Sequence, residues 1–229
     1  MPLSLNSRHC GNVYIIECRG RIAAGEETAS LASELERVLR EFTRIVLQVK
    51  EVDRIDSLGM GLLIRYAVRT RRRGGDIRLA EPATFVERLL HATKLSSILR
   101  IFPGEEAAIV SFLKERSPLE NQKAQGPKVL FLDGSPDLCA FVRVVLNEHG
   151  CHVVSTNRFY DAKLLLQVDQ VDYILLGPHA SHQSPDFVAA SLIAASPKAK
   201  AVQLGKDFPQ QDAREAGEIL LRILQGSTA

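Results

Sequence analysis

Between Lys114 and Lys128 the chain reads Lys-Glu-Arg-Ser-Pro-Leu-Glu-Asn-Gln-Lys-Ala-Gln-Gly-Pro-Lys, with two prolines and few apolar side chains. Such a stretch has nothing to bury, so residues 117–126 are expected to form a linker. That break divides the chain into residues 1–116 and 127–229, and each part must close a core of its own. At 229 residues, 45% of them hydrophobic, the chain has enough material for two modest cores and is long for one.

Beyond the break, apolar runs alternate with helical patterns. Val129 to Leu132 reads as a buried strand, and Pro136 opens a helix that Gly150 closes. Val153-Val154 marks a second strand and Arg158 to Val168 a helix. Tyr173 to Leu176 is a third strand, and Ser184-Pro185 starts another helix. Ala201 to Leu204 is a fourth strand, and Pro209 precedes the last helix. Strict alternation of this kind predicts a parallel sheet covered on both faces, a small doubly wound domain.

In the first part, Ile45-Val46-Leu47 with Val49 reads as a buried strand and Val52 to Ile55 as a short loop after it. From Leu58 to Val68 the residues are mostly long-chain helix formers, with two early glycines, Gly59 and Gly61. Asp56 or Ser57 is therefore the expected N-cap. A phosphate on Ser57 would sit on free amides at the positive end of the helix dipole, where negative charge is tolerated. The bland alternative is that Asp56 and Ser57 only cap the helix. Gly59 and Gly61 allow either the approach of a partner backbone or close packing of the helix on the sheet.

Four blocks in order carry a family resemblance: Val13 to Ile22, Ile45 to Val52, Ile55-Asp56-Ser57-Leu58-Gly59-Met60-Gly61, and Arg73 to Ala80. Over roughly residues 5 to 114 the chain resembles a STAS domain, the fold of anti-sigma-factor antagonists. The resemblance implies a mixed sheet with helices, and phosphorylation of Ser57 by a partner kinase. It also implies a partner-binding surface at Asp56, Ser57, Leu58, Gly59 and Met60. Many members carry a second small residue where this chain has Leu58.

Residues 127–229 resemble the receiver domain of two-component response regulators, with losses. Where receivers end their first strand in two acids, this chain has Asp133 followed by Gly134. Where they carry the phosphoryl-accepting aspartate, Tyr173 to Leu176 leads into Gly177. Gly205 stands where a Ser or Thr is expected, and the resemblance implies that Lys206 is a remnant of the active lysine. Magnesium needs several oxygen ligands and phosphorylation needs a carboxylate nucleophile, so the resemblance implies a pseudo-receiver without metal or cofactor. A ligand of such a sheet would bind near Asp133 to Ser135 and Gly177 to His182. Those loops lack a phosphate-cradling glycine pattern, which favours protein docking or dimerisation over small-molecule sensing.

Charge and polar residues narrow the function classes. Residues 1–116 hold nineteen Lys+Arg against fifteen Asp+Glu, and the remainder ten against twelve. Arg65, Arg69, Arg71, Arg72 and Arg73 are clustered, and Arg65, Arg69 and Arg72 recur at helical spacing on a solvent face. Without interleaved aromatics that face favours an acidic partner over nucleic acid. Cys10, Cys18, Cys139 and Cys151 form no C-x-x-C pair and read as reduced core thiols. His149, His152, His179 and His182 read as polar loop residues rather than metal ligands. No run reaches a membrane span and no signal peptide opens the chain, so a cytoplasmic protein is expected.

No Ser/His/Asp, Cys/His or paired-carboxylate arrangement has recognisable spacing, so no catalytic residue is assigned. The leading expectation is a non-enzymatic bacterial signalling protein in a partner-switching pathway. Its partners would be a serine kinase, an anti-sigma factor, a signalling complex or a second copy of the chain, with neither nucleic acid nor membrane. The alternative is a scaffold in which both domains dock constitutively.

Overall fold

The computed structural model describes residues 1–115, 126–181, 183–205, 207–208 and 213–224. The expected linker, apart from Gly126, lies outside these residues, as do His182, Lys206 and Pro209. The chain divides into two compact units, Met1–Leu113 and Lys114–Ala229. No helix among the described residues is long and apolar enough to cross a membrane.

The first unit runs β1 (Ser4–Cys10), β2 (Val13–Ile22), α1 (Glu26–Val38), β3 (Arg44–Ile55), α2 (Ser57–Arg72), β4 (Asp76–Ala80), α3 (Thr84–Ala92), β5 (Arg100–Phe102) and α4 (Glu105–Lys114). Its strands lie in the order β5-β4-β3-β2-β1. The β1–β2 pair is antiparallel and the other pairs are parallel, giving a mixed sheet. Ile45, Val46 and Leu47 are consecutive and all fully buried, because β3 is central and covered on both faces. On one face Leu31 and Leu35 of α1 and Leu63 and Ala67 of α2 join Ile45, Leu47, Ile77 and Leu79 in one core. Arg78 alternates with Ile77 and Leu79 and so points to the other face. There its guanidinium stands 3.5 Å from the ring centroid of Phe112 on α4.

One feature of β3 positions the site. Val52 to Ile55, expected as a loop, continues the strand, so β3 is 12 residues long. Only its first half pairs with β4, through Gln48, whereas its pairing with β2 persists to Ile22↔Ile55. Val52 and Ile55 are buried while Glu51, Asp53 and Arg54 are exposed. That mixture of charge and aliphatic residues imitates a loop in sequence, but two buried anchors and a hydrogen-bonded partner hold it extended. The end of β3 therefore meets the end of β2.

The second unit contains β6 (Lys128–Leu132), α5 (Pro136–Glu148), β7 (His152–Thr156), α6 (Phe159–Val168), β8 (Tyr173–Leu176), α7 (Pro185–Ala195), β9 (Lys200–Gln203) and α8 (Ala213–Leu224). Its strands lie in the order β7-β6-β8-β9 and all pairs are parallel. Ser135 and Ser184 cap α5 and α7 by accepting the amides of Leu138 and Phe187, each helix having proline in its first turn. Val129, Phe131 and Leu175 form one core with α5 and α8. α6 and α7 pack against each other and against β7, β6, β8 and β9, covering the other face. The fourth strand is Lys200–Gln203, one residue earlier than the apolar pattern suggests.

Candidate functional site

The adjoining ends of β2 and β3 deliver Ile22 and Ile55 side by side, and the next residue, Asp56, turns the chain into α2. The Asp56 amide donates to the Ile22 carbonyl (3.3 Å). Its backbone is extended, and its side chain makes two contacts in different directions. Oδ1 accepts the Gly59 amide at 2.8 Å, and Oδ2 accepts the Ala24 amide at 2.8 Å. One carboxylate thus caps α2 and ties it to the loop between β2 and α1. The amides of Gly59 and Ala24 hold the Asp56 carboxyl below the usual carboxylate range.

Of the two expected caps, Asp56 is the one used. Ser57 is the first residue of α2, its side chain is exposed, and no hydrogen bond among the described residues uses its hydroxyl. Leu58 beside it is 64% exposed, an unusual position for a large aliphatic residue in a helix that buries much of its length.

The two glycines divide the roles that sequence left open. A Cβ on Gly59 would stand 2.1 Å from the Ile22 carbonyl oxygen, so Gly59 exists for close packing of α2 on the sheet. A Cβ on Gly61 would meet nothing within 4 Å, and Gly61 is exposed. Ser57 and Gly61 are four residues apart and share a helix face, with Leu58 adjoining. The five residues expected to face a partner therefore separate. Ser57 and Leu58 are exposed and Asp56 is half-buried. Gly59 is buried, and Met60, 6% exposed, belongs to the core, so neither offers a side chain to a partner. Of the two readings that the sequence leaves open for the glycines, Gly61 is the exposed one, four residues from Ser57.

The carboxyl ends of the second sheet are occupied by protein groups. Asp133 is fully buried. Its Oδ1 accepts the Ser135 amide and its Oδ2 the His179 amide, both at 2.8 Å. Gly134 donates to the His179 carbonyl, and Gly177 to Leu132. A Cβ at residue 177 would lie 2.2 Å from Asp133 Oδ2. The carboxylate thus fills the space that a side chain at the end of β8 would need, and it bolts two loops together.

The remaining polar candidates are structural. All four cysteines are buried, and burial pushes the thiols of Cys18 and Cys139 up to about 12, which keeps them protonated and unreactive. His149 Nδ1 is 2.7 Å from the Val145 carbonyl oxygen. Among the described residues no three His, Cys, Asp or Glu side chains group as metal ligands would.

Residues 4–108 match the STAS domain family, so the first unit is a STAS domain. The anti-sigma-F factor antagonist RsfA of Mycobacterium tuberculosis, in two strains, is 29% identical over 109 residues, which are 47% of this chain and 85% of that protein. Among solved structures, an anti-sigma factor antagonist from Mycobacterium paratuberculosis is 17% identical, with 48% of this chain and 92% of that chain covered and a TM-score of 0.41. The anti-sigma factor antagonist SpoIIAA in its unphosphorylated form is 12% identical, with 50% and 99% covered and a TM-score of 0.40.

Proposed function

We propose that this chain, with its STAS domain over residues 4–108, is a non-enzymatic antagonist of an anti-sigma factor or serine kinase in the bacterial cytoplasm, and that phosphorylation of Ser57 turns its partner binding off. The likeness to the RsfA proteins supports the class of partner. The observation that carries the switch is that Asp56 alone caps α2, which leaves the neighbouring Ser57 hydroxyl exposed and unused.

Physical chemistry makes that hydroxyl a good place for a charge. A phosphate would add about −1.5 to −2 charge at neutral pH, at the helix end where the dipole offsets it, so the fold persists. The partner, however, meets the exposed patch of Ser57, Leu58 and Gly61. There the new charge stands next to the ionised Asp56 and beside an apolar residue that must be desolvated on binding. Both effects oppose association. Leu58 supplies an exposed apolar anchor beside Ser57, so it tunes which partner is accepted.

Residues 127–229 act in this reading as a pseudo-receiver, joined through a linker at 117–126 and docking protein without a phosphorylation cycle. Gly134 and Gly177 remove a metal ligand and the acceptor, and Asp133 is consumed as a backbone clamp.

A pull-down from native extract with wild type, Ser57→Ala and Ser57→Asp tests the reading. Wild type and Ser57→Ala retain a kinase or anti-sigma factor, and Ser57→Asp releases it. Equal capture by all three contradicts the switch and returns the scaffold.

A further inference from the structure

The exposed face that begins at Ser57 does not end at the first turn of α2. Ser57, Gly61, Arg65, Arg69 and Arg72 follow one another at spacings of four, four, four and three, so they form one ridge along the helix. Over 16 residues that ridge is roughly 24 Å long. Its far end is crowded with guanidinium groups. Arg73 donates to the Leu39 carbonyl at the end of α1, next to the exposed Arg40. The turn after α2 is pressed on residue 43, since a Cβ on Gly75 would stand 1.8 Å from the Thr43 carbonyl oxygen.

Part of this charge is already spent. Arg69 pairs with Glu36, Arg37 with Glu34, and Arg71 with Asp76. Arg40, Arg65, Arg72 and Arg73 have no carboxylate partner in an ion pair among the described residues. The dipole at a helix C-terminus accounts for arginines in the last turn only, and Arg65 lies outside it. The aromatic ring beneath the ridge, Tyr66, is 4% exposed, with the guanidinium carbons of Arg65 and Arg69 at 5.3 and 5.8 Å from its centroid. No base could stack on it.

We infer that the arginine surface formed by Arg65, Arg72 and Arg73 along the second half of α2, with Arg40 just beyond α1, is a second docking surface that takes an acidic polypeptide segment of the protein partner. The inference rests on the proposed function only for the identity of that partner. Because the contact starts about two turns along α2 from Ser57, roughly 12 Å away and beyond the screening length of about 10 Å at roughly 0.1 M salt, it is independent of the phosphate. It would steer the partner onto α2 by long-range attraction while Ser57 sets whether the near end closes.

A fluorescein-labelled peptide of ten alternating Asp and Glu residues, titrated by anisotropy into the full chain at about 0.1 M salt, tests the chemistry without the partner. The combined variant Arg40→Glu, Arg65→Glu, Arg72→Glu is expected to bind about tenfold more weakly. A control of equal charge change, Arg88→Glu, Lys94→Glu, Lys198→Glu, stays within about twofold, as does Ser57→Asp. Circular dichroism verifies folding, and if the combined variant fails to fold, Arg65→Glu alone should still weaken binding by about threefold. No binding by wild type, equal loss in patch and control variants, or about tenfold preference for a ten-nucleotide single-stranded RNA over the peptide would overturn the inference. None of these outcomes bears on Ser57, so the switch stands or falls separately.

Discussion

Gly59 lies so close to Ile22 that a methyl group on it would reach 2.1 Å from the Ile22 carbonyl oxygen. The contact is backbone against backbone and cannot be relieved by rotating a side chain, so Gly59→Ala must lift α2 from the sheet. Thermal or denaturant unfolding should show a loss of about 2 kcal/mol. Gly61→Ala should instead keep or raise stability, by up to about 1 kcal/mol, because alanine is the better helix former. It should nevertheless weaken partner binding by covering exposed backbone. Equal stability losses at both positions would remove the assignment of one glycine to packing and the other to the surface.

Asp56 should make stability depend on pH in a defined direction. Its folded carboxyl titrates below the ordinary range because the Gly59 and Ala24 amides favour the ionised form. A lowered folded value means the contribution is fully present above the unfolded aspartate value of about 3.9 and is lost as pH falls through the folded value. The difference in unfolding midpoint between wild type and Asp56→Asn should therefore be flat at neutral pH and shrink under acid. A difference that grows as pH falls would contradict the two-amide clamp.

The second unit should be inert to phosphoryl donors. With Gly177 pressed on Asp133 and both carboxylate oxygens engaged by amides, Asp133 is taken up as a backbone clamp rather than offered as a magnesium ligand or nucleophile. Acetyl phosphate with magnesium should add no base-labile phosphoryl mass to residues 127–229. Gly177→Asp should fail to create an acceptor and should destabilise the unit by about 2 kcal/mol through overlap with Asp133. An adduct on Asp133 or Asp137 would show that a carboxylate has taken over the acceptor role.

Much of the fold could be read in advance where a residue run had one physical meaning. Val129 to Leu132 is continuously apolar, which only a strand buried on both faces needs, and it is one. Val52 to Ile55 reads as a loop because its two anchors are separated by charged residues that face solvent, and only the pairing with β2 shows why it stays extended. At the site, the Asp56-Ser57 pair announced a cap without saying which residue performs it. That choice depends on where Ala24 and Gly59 present their amides, a tertiary fact. Met60 enters the expected partner surface through the resemblance alone, and its burial becomes legible only once Gly59 seats α2 on Ile22.

Leu58 tests the proposed anchor apart from the phosphate. It is 64% exposed, so Leu58→Ser should change stability by no more than about 0.5 kcal/mol. Partner affinity should fall about tenfold, as expected for loss of a buried apolar anchor at an interface. Unchanged affinity would place the partner elsewhere on the domain.

The most direct measurement is isothermal calorimetry of the captured partner against three forms of the chain: wild type, Ser57→Ala, and wild type phosphorylated at Ser57, each verified as folded by circular dichroism. Wild type and Ser57→Ala are expected to bind alike, and the phosphoprotein at least about a hundredfold more weakly, the effect of roughly two negative charges beside Asp56 at a surface that must desolvate on binding. Equal affinity of all three forms would contradict the account, because the exposed hydroxyl beside Asp56 would then have no bearing on binding.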